Sequence, residues 1–140
     1  MTQPRLRVFL DANVLLSAAY REAAGLLALW QLAGATLMTS GYAAEEARRN
    51  LDSEEQRARL AGLLARLDVV PESAGTPLPD GVRLPEKDQP ILRAAIACSA
   101  THLLTGDWRD FGRWIGHRIG QVRIQTPGEF LRSAGRLSRE

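Results

Sequence analysis

The sequence predicts an α/β fold: a mostly parallel sheet covered by helices on both faces. Short apolar runs rich in strand-forming residues alternate along the chain with longer segments whose apolar residues recur at helical spacing. At 140 residues the chain makes one ordinary domain, expected to span 1–140 and to bury about two-thirds of its unfolded surface. Hydrophobic residues at 45% and charged residues at 24% fit a soluble globular protein. No internal repeat or low-complexity segment interrupts this pattern.

Residues 5–10 read as a strand, and 12–33 as one helix with Leu15, Ala19, Leu26, Leu29 and Trp30 at helical spacing. Gly34 stands where a helix is expected to end. "ATLMTS" (35–40) is a second strand and 41–51 a second helix. Residues 53–67 suit a third helix, with Leu60, Leu63, Leu64 and Leu67 on one side, and "DVVPE" a short strand. Residues 71–90 hold five of the seven prolines and read as a long loop, a class of segment that is often functional. A helix over 89–100, the strand "THLLTGD", a Trp/Gly-rich stretch, the strand "VRIQT" and a last helix from Pro127 complete the order.

Eighteen basic residues against sixteen acidic ones do not by themselves point to a polyanionic partner. The C-terminal part is the basic one: from Thr101 onward seven arginines face Asp107, Asp110, Glu129 and Glu140, while Lys87 is the sole lysine. Cys98 is the single cysteine, so an internal disulfide is excluded, and "AAIACSA" reads as helix packing. Without a charged leader before an apolar run, and without an apolar span of about 20 residues, the expectation is a cytoplasmic protein with no membrane partner.

Four acids stand at strand ends or helix starts. In an open parallel sheet, functional groups collect beyond the carboxyl ends of the strands, which places Asp11 and Asp107 on one rim. The helix after "LMTS" brings Glu45 and Glu46 to the same rim. Glu45 has Arg49 four residues on and reads as a surface pair, so Glu46 is expected to face inward. Asp88 opens the helix "DQPILRAAIACSA" on the side of Ile91, Leu92 and Ala95. Such acids, converging without basic partners, would repel one another and titrate abnormally. A divalent cation removes the conflict, and oxygen-only donors suit Mg²⁺ or Mn²⁺. Each acid also has a structural alternative: Asp11 and Asp88 as helix caps, Asp107 as a turn residue, Glu45–Glu46 as a solvated helix face.

"VFLDANVLLSA", "TSGYAAEEARRNL", "DQPILRAAIACSATHLLTGDWRDF" and "IQTPGEFL", in this order over nearly the whole chain, resemble the PIN-domain family. That resemblance implies a three-layer α/β/α sandwich and a Mg²⁺- or Mn²⁺-dependent ribonuclease, with bacterial VapC-like toxins among the relatives. Carried over by position, it implies Asp11, Glu46, Asp88 and Asp107 as the acidic quartet, with Glu45 adjacent to the second of them. Asp110 is similar to an additional metal-site acid, and Asn13 and Thr105 match polar positions that support the first and last acids. The family chemistry is hydrolysis of an RNA phosphodiester by a metal-activated water, leaving a 5′-phosphate. It implies RNA as substrate, an antitoxin protein as partner, and a homodimer. Arg109 and Arg113 are candidates for flanking phosphates. Trp108 could stack on a base, although packing at a core edge is the stronger expectation. His102 and His117 carry no assigned role.

Two other classes fit less well. A phosphoacceptor receiver domain also binds Mg²⁺ through acids at strand ends, but it needs a lysine at a late strand end, and Lys87 precedes a helix. A catalytically inactive PIN fold serving as a binding module in a larger complex would have no use for a full set of mutually repelling acids.

Overall fold

The computed structural model describes residues 5–22 and 24–139, with side chains as far as Ala134. The ends of the expected 1–140 domain, and the C-terminal Arg136, Arg139 and Glu140 side chains, lie outside what is described. Among the described residues six strands form one sheet: β1 (Leu6–Leu10), β2 (Ala35–Ser40), β3 (Asp68–Val70), β4 (His102–Leu104), β5 (Arg118–Ile119) and β6 (Val122–Gln125). Their order is β3-β2-β1-β4-β6-β5. Every pairing is parallel except β5 with β6, a short antiparallel hairpin. The helices α1 (Ala12–Ala19), α2 (Gly41–Arg49), α3 (Glu54–Leu64), α4 (Gln89–Ala97), α5 (Trp108–Phe111) and α6 (Pro127–Arg139) flank it. This is the three-layer α/β arrangement expected from the sequence.

The topology creates the site. From β1 the chain steps outward through β2 to β3, then returns along the proline-rich loop and α4 to place β4 on the other side of β1. The crevice at such a reversal, beyond the strands' carboxyl ends, is where open α/β sheets bind ligands. Val8, Phe9 and Leu10 of β1 are fully buried, as are Leu103 and Leu104 of β4, so the strands meeting at the crevice are fixed by the core itself. Asp11 N–H donates to Leu104 O at 3.1 Å, and Thr105 N–H to Gln125 O at 3.0 Å, carrying the register one residue past the strands. No helix among the described residues is long and apolar enough to cross a membrane.

Several elements depart from the sequence expectations. The single helix over 12–33 is two pieces: α1 ends at Ala19, and Gly25–Gln31 forms a 3-10 helix. The carbonyls at the end of α1 are taken by side chains from α3. Arg59 donates to Ala19 O and Tyr20 O, both at 3.0 Å, and Gln56 Nε2 to Tyr20 O at 3.1 Å. These bonds cap the helix from outside. Gly34 does adopt a left-handed φ of 76°, but in the turn after the 3-10 segment. Helix α4 stops at Ala97 and not at 100. Ser99 takes a φ of 59°, Ala100 N–H bonds Ala95 O at 3.0 Å and Ser99 N–H bonds Ile96 O at 3.1 Å, a Schellman closure made without glycine. The Trp/Gly-rich stretch holds α5, a 3-10 turn and β5, none of which the sequence pattern resolved.

Candidate active site

Asp11 follows the fully buried Leu10 and is itself only 4% exposed. One carboxylate oxygen accepts from Ala12 N–H at 2.7 Å, capping α1. The other accepts from the Thr105 hydroxyl at 2.8 Å and from Asn13 Nδ2 at 3.1 Å. Asn13 Oδ1 in turn accepts from Gly106 N–H at 2.8 Å, and Thr105 Oγ1 from Asp107 N–H at 3.0 Å. Asn13 and Thr105 thus form one hydrogen-bonded network with the Asp11 carboxylate and the Asp107 backbone, spanning the ends of β1 and β4. Burial outweighs these bonds and pushes the Asp11 carboxyl up from 3.8 to about 6; Glu46 and Asp107 add smaller like-charge contributions.

Asp11, Asn13, Glu46, Asp88 and Asp107 line one cleft of about 320 Å³, together with Ala12, Leu16, Ala47, Asn50 and Lys87. Glu46 projects from the half-buried side of α2. Glu45 is exposed and pairs with Arg48 at 2.5 Å, not with Arg49 as its spacing suggested; the i+3 guanidinium reaches both Glu45 oxygens. The inward residue of the pair is nonetheless Glu46. The α2 helix is set at this rim by Ser40, whose hydroxyl accepts from Ala43 N–H at 3.1 Å.

Asp88, Asp107 and Asp110 bring carboxylate oxygens within 4.8 Å of one another. Asp88 is 6% exposed and makes no cap bond to α4, so the helix-cap alternative fails for it. Asp107 does cap α5, accepting from Asp110 N–H at 3.0 Å. Burial, then the neighbouring Asp110, raises the Asp88 carboxyl above its ordinary range; hydrogen bonding to Asp88 and Lys87 holds Asp110 below it. Asp11 and Glu46 share the cleft with Asp88 and Asp107 but stand outside the tight cluster, and Asp110 belongs to the cluster without lining the cleft.

One expectation fails outright. The acids do not converge without a basic partner: Lys87 Nζ lies 2.6 Å from Asp110, 3.2 Å from Asp88 and 3.9 Å from Asp107. Asp110 foremost, and then Asp88, hold its ammonium more tightly protonated than usual. The signal in the sequence was its uniqueness, the chain's one lysine standing directly before a candidate acid. Arg109 and Arg113 are both exposed and neither lines the cleft; Arg113 lies over the Trp114 ring, 5.2 Å from its centroid. Trp108, expected at a core edge, is 63% exposed beside Asp107, because α5 turns Phe111 into the core in its place. The donors around the cleft are carboxylate oxygens, a set that fits Mg²⁺ or Mn²⁺ and disfavours soft metals.

The fold and rim define an open α/β domain with an acidic crevice at its topological switch point. The chain belongs to the PIN-domain family, whose description, "PIN domain", matches residues 7–109. That span takes in every quartet position and ends one residue before Asp110. Among solved structures, a chain in the crystal structure of VapBC2 from Rickettsia felis bound to a DNA fragment from their promoter aligns with TM-score 0.62 and 20% identity. The match covers 86% of this chain and 98% of that one. At that identity the likeness is one of fold. No curated protein matches the sequence.

Proposed function

We propose that the protein is a metal-dependent endoribonuclease, with Asp11, Glu46, Asp88 and Asp107 as its catalytic acids and Asp110 as a further metal ligand. The observation that carries this reading is the cleft itself: four carboxylates, Asp11, Glu46, Asp88 and Asp107, line it from four separated segments at the switch point of a PIN fold, and Asp110 clusters with the last two. Asp88, Asp107 and Asp110 would hold a divalent ion, with Asp11 and Glu46 completing the ligand set from the β1 and α2 sides. When bound, the ion lowers the pKa of a coordinated water and offsets charge on the phosphate. Thr105 and Asn13 hold one oxygen of the Asp11 carboxylate, which fixes its orientation at the cleft. Leu16 and Ala47 supply the apolar part of the cleft lining. Arg109 and Arg113, exposed and outside the cleft lining, are available to flanking phosphates, and the exposed Trp108 to a base.

RNA as the substrate follows from the family resemblance. The same resemblance, with the VapBC2 fold match, supports a toxin paired with an antitoxin protein, and a cytoplasmic homodimer. A short neighbouring reading frame for a DNA-binding protein with a disordered tail is the expected genomic setting. The direct test is cleavage of single-stranded RNA by purified protein. Activity should require Mg²⁺ or Mn²⁺ and stop with EDTA, and Asp11→Asn and Asp107→Asn should each lose about 10²-fold or more. Undiminished cleavage in EDTA, or wild-type rates in both variants, would remove the nuclease reading.

A further inference from the structure

Lys87 is the charged residue of the cleft lining that the nuclease reading leaves without a task. Its ammonium sits among the three acids of the tight cluster, 2.6 Å from Asp110, 3.2 and 3.4 Å from the two Asp88 oxygens and 3.9 Å from Asp107. A cation bound by Asp88, Asp107 and Asp110 would claim the same oxygens. The two halves of the residue are held differently. Its backbone carbonyl accepts from the Tyr42 hydroxyl at 2.8 Å, tying the Glu86–Asp88 turn to α2. Its side chain is 58% exposed, with solvent to swing into.

We propose that Lys87 is a tethered counter-ion that competes with the divalent metal for Asp88, Asp107 and Asp110, so that it sets the affinity of the site. The proposal rests on the metal-site reading above. In the metal-free protein Lys87 offsets the repulsion that the acids would otherwise exert on one another. On metal binding it gives up its carboxylates and turns outward on its four-carbon stem, leaving its backbone anchor to Tyr42 in place. Each binding event therefore includes the loss of three ion-pair contacts. Until it swings away, its single positive charge also opposes an incoming dication by Coulomb repulsion, even where water screens strongly. Removing the ammonium removes both effects.

Calorimetric titration of Mn²⁺ into wild type, Lys87→Met and Lys87→Arg tests this without reference to RNA. Methionine keeps the apolar stem and deletes the charge, so Lys87→Met should bind Mn²⁺ on the order of tenfold more tightly. Lys87→Arg, which keeps the charge, should stay near wild type. Before metal is added, Lys87→Met should melt lower than wild type at low salt, having lost the counter-ion. A second measurement needs no variant. Lys87 is the sole lysine, so its acetylation by an amine-directed reagent is read from one peptide by mass spectrometry, and Mn²⁺ should accelerate it several-fold by releasing the amine. Equal or weaker Mn²⁺ affinity in Lys87→Met, or an acetylation rate indifferent to Mn²⁺, overturns the competitor role and leaves the metal site standing. Absence of Mn²⁺ binding in all three proteins overturns both.

Discussion

The Thr105 hydroxyl donates to the Asp11 carboxylate at 2.8 Å, joining the first residue past β1 to the first residue past β4 across ninety-four positions of sequence. Both residues are buried, Thr105 completely, and the same oxygen accepts from Asp107 N–H and, at 3.3 Å, from Asn13 Nδ2. One hydroxyl thus positions two of the acids. Thr105→Val keeps the shape and deletes the donor and acceptor, stranding buried polar groups at a cost of about 1–3 kcal/mol. Chemical denaturation should show that loss, and cleavage should fall more steeply than stability explains at temperatures where the variant is still folded. Thr105→Ser should recover most of both.

The pair Glu45 and Glu46 gives a test that adjacent residues rarely allow. Glu46 lines the cleft, whereas Glu45 is exposed and engaged by Arg48. Glu46→Gln should abolish metal-dependent cleavage. Glu45→Gln should leave the rate nearly unchanged and stability almost unaffected, because an exposed ion pair contributes little. The opposite pattern would move the second acid by one residue.

Asp11 predicts a pH dependence with a definite sign. Its folded carboxyl titrates near 6, its ordinary value being 3.8. Between those values the folded chain binds a proton that the unfolded chain does not. The penalty for burying the charged carboxylate is complete above the folded pKa and is relieved as pH falls toward the unfolded one. In EDTA, the melting temperature should therefore rise from about pH 7 to about pH 5, by the equivalent of on the order of 1 kcal/mol or more. Asp88, raised in the same direction, adds to the rise. A melting temperature that falls steadily over that range would mean that the acids at the rim are not penalised by burial.

Metal should reverse that trend. An ion that binds only the folded state stabilises it by mass action, and it prefers the ionised carboxylates, so millimolar Mn²⁺ should raise the melting temperature more at neutral pH than near pH 5. The shift should shrink strongly in Asp11→Asn and Asp88→Asn. Wild type that is indifferent to millimolar Mn²⁺ would exclude a metal site.

Trp108 separates packing from recognition. With 63% of its surface exposed, truncation to alanine should change stability by no more than about 0.5 kcal/mol. Affinity for single-stranded RNA, measured with Asp107→Asn to prevent cleavage, should fall by about 1–3 kcal/mol if a base stacks on the ring. Unchanged affinity would leave Trp108 with no part in RNA binding.

By itself the sequence determined the layer order, the parallel sheet and the positions of the acids, because those follow from local patterns. Apolar runs such as "VFL" and "HLL" bury as strands, the acid that ends each run lies at the strand's carboxyl edge, and Ser40 caps the helix that carries Glu46. The tertiary structure decided what depends on partners distant in sequence. Helix α1 ends at Ala19 because Arg59 and Gln56, some forty positions away, take its last carbonyls. Trp108 faces solvent because Phe111 fills the core instead. Asp110 and Lys87 meet, twenty-three positions apart, because the turn before α4 and the cap of α5 converge on one crevice. Local spacing identifies an acid, but the charge it meets there is set by which loops the sheet order brings together.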